Sequence, residues 1–184
     1  MRKEKIILAD DDTESTGFLF RFRTPSLFIG LILGIVLSFV ASRFEDVLSK
    51  NVAVAFFIPL VVYLSDAVGT QTQNIYTRDL KSGRASFKNY LFKESILGVL
   101  FGLIFGGLVM PIILIWFKNW ELAVTISLSL FCAIASAPLI SLVVTEALQL
   151  EHKDPAVGAG PIATVIQDTV SVLIYGLIAS AIIL

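Results

Sequence analysis

Apolar positions along the chain fall into runs too long for strands and too unbroken for the one-sided helices of a soluble surface. Five of them are long enough for a helix to cross a hydrocarbon core, which takes about 20 mostly apolar residues. They cover approximately residues 26–42, 53–76, 91–117, 122–147 and 156–184. A membrane barrel would instead alternate polar and apolar side chains over strands of about ten residues. Stretches such as SLFIGLILGIVLSFV do not alternate. The pattern predicts an all-α integral membrane protein with five transmembrane helices. Composition agrees, with 56% hydrophobic residues, only 16% charged and a mean hydropathy of +0.85, far from an average soluble domain.

The polar positions are also ordered. Residues 1–23, MRKEKIILADDDTESTGFLFRFR, are too polar for a secretory signal, so no cleavage is expected and 1–23 reads as an acidic and basic cytoplasmic segment ahead of a membrane domain at 24–184. Asp10, Asp11, Asp12 and Glu14 suit a solvated tail, or alternatively a weak cation site of hard oxygen ligands. GFLFRFR suits an interfacial segment whose arginines meet lipid headgroups. Arg2, Lys3, Lys5, Arg21 and Arg23 precede the first span, and Arg78, Lys81, Arg84, Lys88 and Lys93 cluster at the second connection. Only Arg43 and Lys50 mark the first connection, Lys118 the third and Lys153 the fourth. Because positive residues near helix ends stay on the cytoplasmic side, the amino terminus is expected inside and the carboxy terminus outside a cell membrane crossed several times.

Gly30 and Gly34 in the first span, and Gly98, Gly102 and Gly106 in the third, recur every four residues and predict close helix packing rather than chemistry. Pro111 and Pro138 are expected to kink their helices. Glu94, beside Lys93, reads as an interface anchor or a helix-start carboxylate, and His152 as a solvated loop residue. Cys132 is the only cysteine, which excludes an intrachain disulfide and a thiolate metal cluster. No nucleophile and base pair, metalloprotease helix or phosphate loop is present, so enzymatic chemistry is not expected. A nucleic-acid partner is not expected either.

Two spans carry polar residues that lipid would not tolerate. In the last, Thr164, Asp168, Ser171 and Tyr175 follow one another at spacings of four, three and four and share a face, which must be wet or buried in protein. Asp154 lies about 21 Å before Asp168 along a helix and about 40° off that face, so the two carboxylates read as the mouth and middle of one path rather than one site. The second span begins apolar and turns polar within its helical length, with Asp66, Thr70, Asn74 and Thr77 on one face and Gln71 and Gln73 to either side. Gly69 permits close backbone approach, and Pro59 breaks the helix above it. Carboxylate, amide and hydroxyl oxygens suit a hard cation that keeps much of its water. A purely structural, protonated Asp168 and a proton relay are the competing readings.

At these residues the sequence resembles a known family. PLVVYLSDAVGTQTQNIYTRDLKSG and DPAVGAGPIATVIQDTVSVLIYG, with KESILGVLFG between them, resemble the signature segments of the membrane domain of the MgtE family of magnesium channels and transporters. The resemblance covers roughly residues 21–184. It implies a homodimer of five-helix subunits with one pore at the dimer interface, lined by the second and fifth helices. It also implies that Asp168 holds hydrated magnesium, the transported ion, within the pore, that Asp154 stands near its cytoplasmic mouth, and that Thr70 and Asn74 line it. The chain departs from the family pattern at Ser65, Asp66 and Ala67, where Gly-Gly-Asn is usual, and at Val165, where a second threonine is usual. Asp66 would add a metal-binding carboxylate from each subunit.

Bacterial channels of the family carry cytoplasmic sensor domains ahead of the pore, whereas about 23 residues precede the first span here. The chain would then be ungated, gated by a partner or gated by its own short segments; the last is the preferred expectation, with Asp10, Asp11, Asp12, Glu14, Glu151 and Asp154 binding internal divalent ions. The expected function is passage of magnesium or a related divalent cation down its electrochemical gradient. The alternatives are an exchanger coupled to sodium or protons and a non-transporting membrane scaffold.

Overall fold

The computed structural model describes the backbone of residues 12–150 and 155–184, with the side chains of 149–150 and 155–160 left aside. Among the described residues there are seven helices: α1 (Thr16–Ser42), α2 (Glu45–Lys50), α3 (Val52–Phe56), α4 (Ile58–Lys81), α5 (Phe87–Phe117), α6 (Trp120–Leu150) and α7 (Pro155–Ile183). Five segments are long and apolar enough to cross a membrane, α3 and α4 together forming the second. The five predicted spans are therefore present, with ends that differ for local reasons. Ser15 starts α1 by accepting from the Phe18 amide, so α1 takes in the GFLFRFR stretch expected to lie at the interface. At the other extreme, Lys118 closes α5 in the left-handed region with φ 51°.

In hydrocarbon each freed backbone group must find a partner, and the second span shows how. Pro59 stands in the first turn of α4, where its missing N–H costs nothing, and the chain breaks at Phe57 between α3 and α4. Asn51 caps α3 by accepting from the Ala53 amide. From α7, the buried Tyr175 hydroxyl donates to the Val54 carbonyl at 2.6 Å. Pro25, Pro111, Pro138 and Pro161 lie inside helices that continue through them.

The core gathers around α6, which packs against α4, α5 and α7, while α1 rests mainly on α7. Leu122, Ile126, Leu130 and Ile134 on α6 are fully or almost fully buried. Outward, α1 and α5 present Leu31, Ile35, Phe39, Leu103, Ile104 and Ile115, suited to lipid. The glycines of α5 explain why it lies so close to α6. A Cβ at 98, 102 or 106 would come within 2.9, 2.7 and 2.8 Å of the carbonyl oxygens of Ala135, Phe131 and Ser127. One face of α5 is thus a backbone-to-backbone seam, as its spacing predicted. In α1 the same spacing has a looser outcome, since only Pro161 comes within 4 Å of a Cβ at Gly30 and nothing does at Gly34. At the far end of α7, a Cβ on Gly176 would enter the Phe44 ring.

Gly102→Ala is expected to lower the melting temperature of the detergent-solubilised protein, because overpacking a filled seam costs about 1–3 kcal/mol. Gly107→Ala, with nothing within 4 Å of its Cβ, should leave it unchanged or raise it, since alanine favours a helix interior by up to about 1 kcal/mol. Equal behaviour of the two variants in a thermal melt would contradict the seam.

Candidate functional site

Helix α4 is divided lengthwise. Val61, Ser65, Val68, Gly69, Thr72, Gln73 and Tyr76 are buried, whereas Tyr63, Thr70, Gln71 and Asn74 are exposed and Asp66 and Thr77 lie between. Gly69 allows the division to be this sharp. Its Cβ would stand 2.7 Å from the Ser141 hydroxyl and 3.4 Å from the Ala137 carbonyl, so α4 meets α6 there almost backbone to backbone. The buried residues on one side leave the oxygen-bearing side chains on the other.

Helix α7, packed against α4, contributes the rest. Thr164 and Asp168 are half-buried, four residues apart and one turn from each other. The Thr164 side chain lies beside the Asp66 carboxylate, and the charges of Asp66 and Asp168 lie close enough to act on one another. Of the Asp168 oxygens, Oδ1 is buried and has no hydrogen-bond partner. A buried carboxylate oxygen left without a donor is costly, more so than a neutral group. Desolvation and a like charge both make the ionised pair costly unless a donor or a cation balances it.

The structure thus brings together Asp66, Thr164 and Asp168, and keeps Thr70 and Asn74 on the open face of the same α4. Ser171 differs from its predicted place. It is fully buried, bonded to the Ser65 hydroxyl at 2.7 Å, because it stands about 60° round α7 from Asp168 and meets α4 instead of the open face. Tyr175 is likewise turned inward to Val54. Gln73, expected to flank the polar face opposite Gln71, is buried. Asp154, Asp10, Asp11, Glu151 and His152 lie outside the described residues, and Asp12 and Glu14 are exposed. Among the described residues no three acidic, histidine or cysteine groups converge as a ready metal cage. Two carboxylates and a hydroxyl suit an ion that retains part of its water better than a fully stripped one.

The sequence suggests an interface anchor or a helix-start carboxylate at Glu94, but it lies in the third turn of α5, is only 9% exposed and accepts a hydrogen bond from Thr72 at 2.8 Å. Nearby, Tyr76 donates to Glu146 at 2.6 Å and Tyr90 to Asp79 at 2.5 Å, with the two tyrosine rings 4.8 Å apart. These bonds tie the basic-loop ends of α4, α5 and α6 together. The one sequence signal that could have revealed them is the i, i+4 pairing of Thr72 with Tyr76, about 120° and 80° round the helix from Asp66.

Five apolar spans, two of them bearing a polar face with a carboxylate, mark a multi-pass membrane protein. Residues 58–178, from the start of α4 to near the end of α7, match the MgtE family, described as divalent cation transporters. The chain belongs to that family. It is 30% identical over 173 residues to the magnesium transporter MgtE of Bacillus subtilis, covering 92% of this chain and 38% of that protein. It is also 30% identical over 161 residues to the magnesium transporter MgtE of Enterococcus faecalis, covering 86% of this chain and 36% of that one. The magnesium transporter MgtE of Thermus thermophilus is 26% identical over 160 residues, covering 85% of this chain and 35% of that one. The chain therefore spans little more than a third of the length of these curated relatives. Family membership speaks for transport and not for an enzymatic reaction.

In a Cys132→Ala background, Asn74→Cys and Thr70→Cys should react with a membrane-impermeant, water-soluble thiol reagent, while Ser65→Cys should stay protected. Labelling of all three at one rate, followed by mass spectrometry, would show that α4 is rotated differently from this arrangement.

Proposed function

We propose that the chain conducts magnesium, or a closely related divalent cation, along the face shared by α4 and α7. The observation that carries this reading is the buried, unpartnered Asp168 Oδ1 beside a second carboxylate, on a face that continues through Thr70 and Asn74. The names of the relatives support the choice of ion. Ser171, turned into the helix contact, supports the path from behind rather than lining it.

A second copy of the chain completes the path. Exposed Thr70, Gln71 and Asn74 on a membrane-crossing helix would be costly against acyl chains, so they face protein or water. A two-fold arrangement places the same face of both subunits around one axis. Each subunit then offers Asp168 and Asp66 to the ion. Magnesium gives up its water reluctantly, so the carboxylates attract the hydrated ion while Thr164, Thr70 and Asn74 hold its water shell. Asp154 attracts ions at the cytoplasmic mouth, in keeping with the basic α4–α5 connection lying inside. A negative-inside potential favours influx by about 2.3 kcal/mol per charge per 100 mV, and about double that for a divalent ion. Flux down this gradient requires no further energy source.

Purified protein in liposomes should take up magnesium under an imposed negative-inside potential, and Asp168→Ala should slow the initial rate roughly tenfold or more, the loss of about 1.4 kcal/mol of ion stabilisation. Chemical cross-linking checks that the variant still pairs as the wild type does. Equal uptake by the two proteins would return Asp168 to a structural role. Uptake that requires an opposing sodium or proton gradient would replace the channel by an exchanger.

A further inference from the structure

The residues that immediately precede the two carboxylates, Ser65 and Gln167, are joined behind the ion-facing surface. The Ser65 and Ser171 hydroxyls are 2.7 Å apart, and the Gln167 amide nitrogen donates to the Ser171 oxygen at 3.2 Å. Gln167 also reaches the Ala133 carbonyl on α6 at 3.5 Å. Ser65 and Ser171 are wholly buried and Gln167 is 1% exposed. A relay of three polar side chains therefore runs between α4 and α7 with no part in contact with the open face.

Stability does not account for this relay. The Gln167 Oε1 atom is buried without a hydrogen-bond partner, so the group pays desolvation that an aliphatic side chain of similar size would avoid. The hydroxyls could in principle satisfy themselves within their own helices, and Ser65 and Ser171 do contact the Val62 and Gln167 carbonyls. What the relay adds is direction. Apolar packing tolerates a small rotation of one helix against another, but a chain of hydrogen bonds requires a particular angle. On a helix, residue i−1 stands about 100° from residue i, so fixing Ser65 against Ser171 and Gln167 fixes where Asp66 and Asp168 point.

We propose that Ser65 and Gln167 are positioning residues, whose buried relay through Ser171 sets the angle between α4 and α7 and so holds the two carboxylates at the separation that binds the divalent cation. The inference rests on the ion path proposed above. It assigns to the relay the affinity of that path, while the charge itself comes from the carboxylates.

The test compares magnesium uptake by liposomes holding the full chain as wild type, Ser65→Ala, Gln167→Met, Asp168→Asn and Ser129→Ala. Ser129 is a fully buried hydroxyl on α6 that bonds within its own helix to Thr125 and serves as the control for loss of a buried polar group. The expected result is a roughly fivefold rise in the KM for magnesium in Ser65→Ala and in Gln167→Met, the effect of one lost hydrogen bond, with maximal rate and melting temperature close to those of Ser129→Ala. An unchanged KM in Ser65→Ala and Gln167→Met, beside an inactive Asp168→Asn, overturns the positioning role and leaves the ion path standing. A lowered melting temperature and maximal rate without a KM change marks the relay as a structural brace and overturns it too. Wild-type rates from Asp168→Asn, or no uptake by the wild type, remove the path and the relay's role together. Should Gln167→Met fail to fold, Ser65→Ala decides alone, since it removes one oxygen and nothing else.

Discussion

Hydrocarbon offers no hydrogen bonds, and every polar atom in this protein has to be accounted for under that constraint. The consequences recur throughout the bundle. Serine and threonine hydroxyls on the spans turn back to carbonyls three or four residues earlier, as Ser38, Ser95, Thr145 and Thr169 do. Tyr175 supplies a donor where the second span breaks, and Thr72 supplies one to Glu94. Against this background the buried Asp168 Oδ1 differs from the other unpartnered oxygens, Thr77 Oγ1, Thr125 Oγ1, Ser127 Oγ and Gln167 Oε1, in belonging to a carboxylate, for which a missing donor is most costly.

The same constraint divides labour among the helices. With no hydrophobic drive between helices in lipid, close packing supplies the adhesion, and small residues allow it. The glycine seam lets α5 lie against α6, and Gly69 lets α4 do so from another side. Helix α6 thereby becomes a buried hub without chemistry of its own. Helices α4 and α7 lean on it, each with one side committed to packing and another left with oxygen ligands. In the proposed path that second side meets its counterpart in another subunit, and the cost of the unpaired carboxylates is offset by the cation they attract.

Membership of the MgtE family and similarity to bacterial magnesium transporters agree with this chemistry. Hard oxygen donors, few in number and set on rigid helices, match an ion that is held through its water. Asp66 stands where the resemblance to the family led one to expect an uncharged residue. It is placed beside both Thr164 and Asp168, so a second carboxylate stands at this face.

The sequence by itself determined the number of spans, the all-helical class and the two helices that carry polar faces, because these follow from run length and from a step of about 100° that any helix obeys. It also placed Asp66, Asp168, Thr70 and Asn74 on polar faces and assigned the α5 glycines to packing. Periodicity has no knowledge of a neighbour, however, and a polar stripe looks the same whether it meets water or another helix. Only the tertiary structure decided that Ser171 and Tyr175 bond inward while Asp168 does not, that Gln73 is buried and Gln71 is not, and that Glu94 has a partner in Thr72. Those outcomes depend on how α4, α6 and α7 are rotated against one another. That rotation is set by contacts between residues tens of positions apart, which no local pattern along the chain encodes.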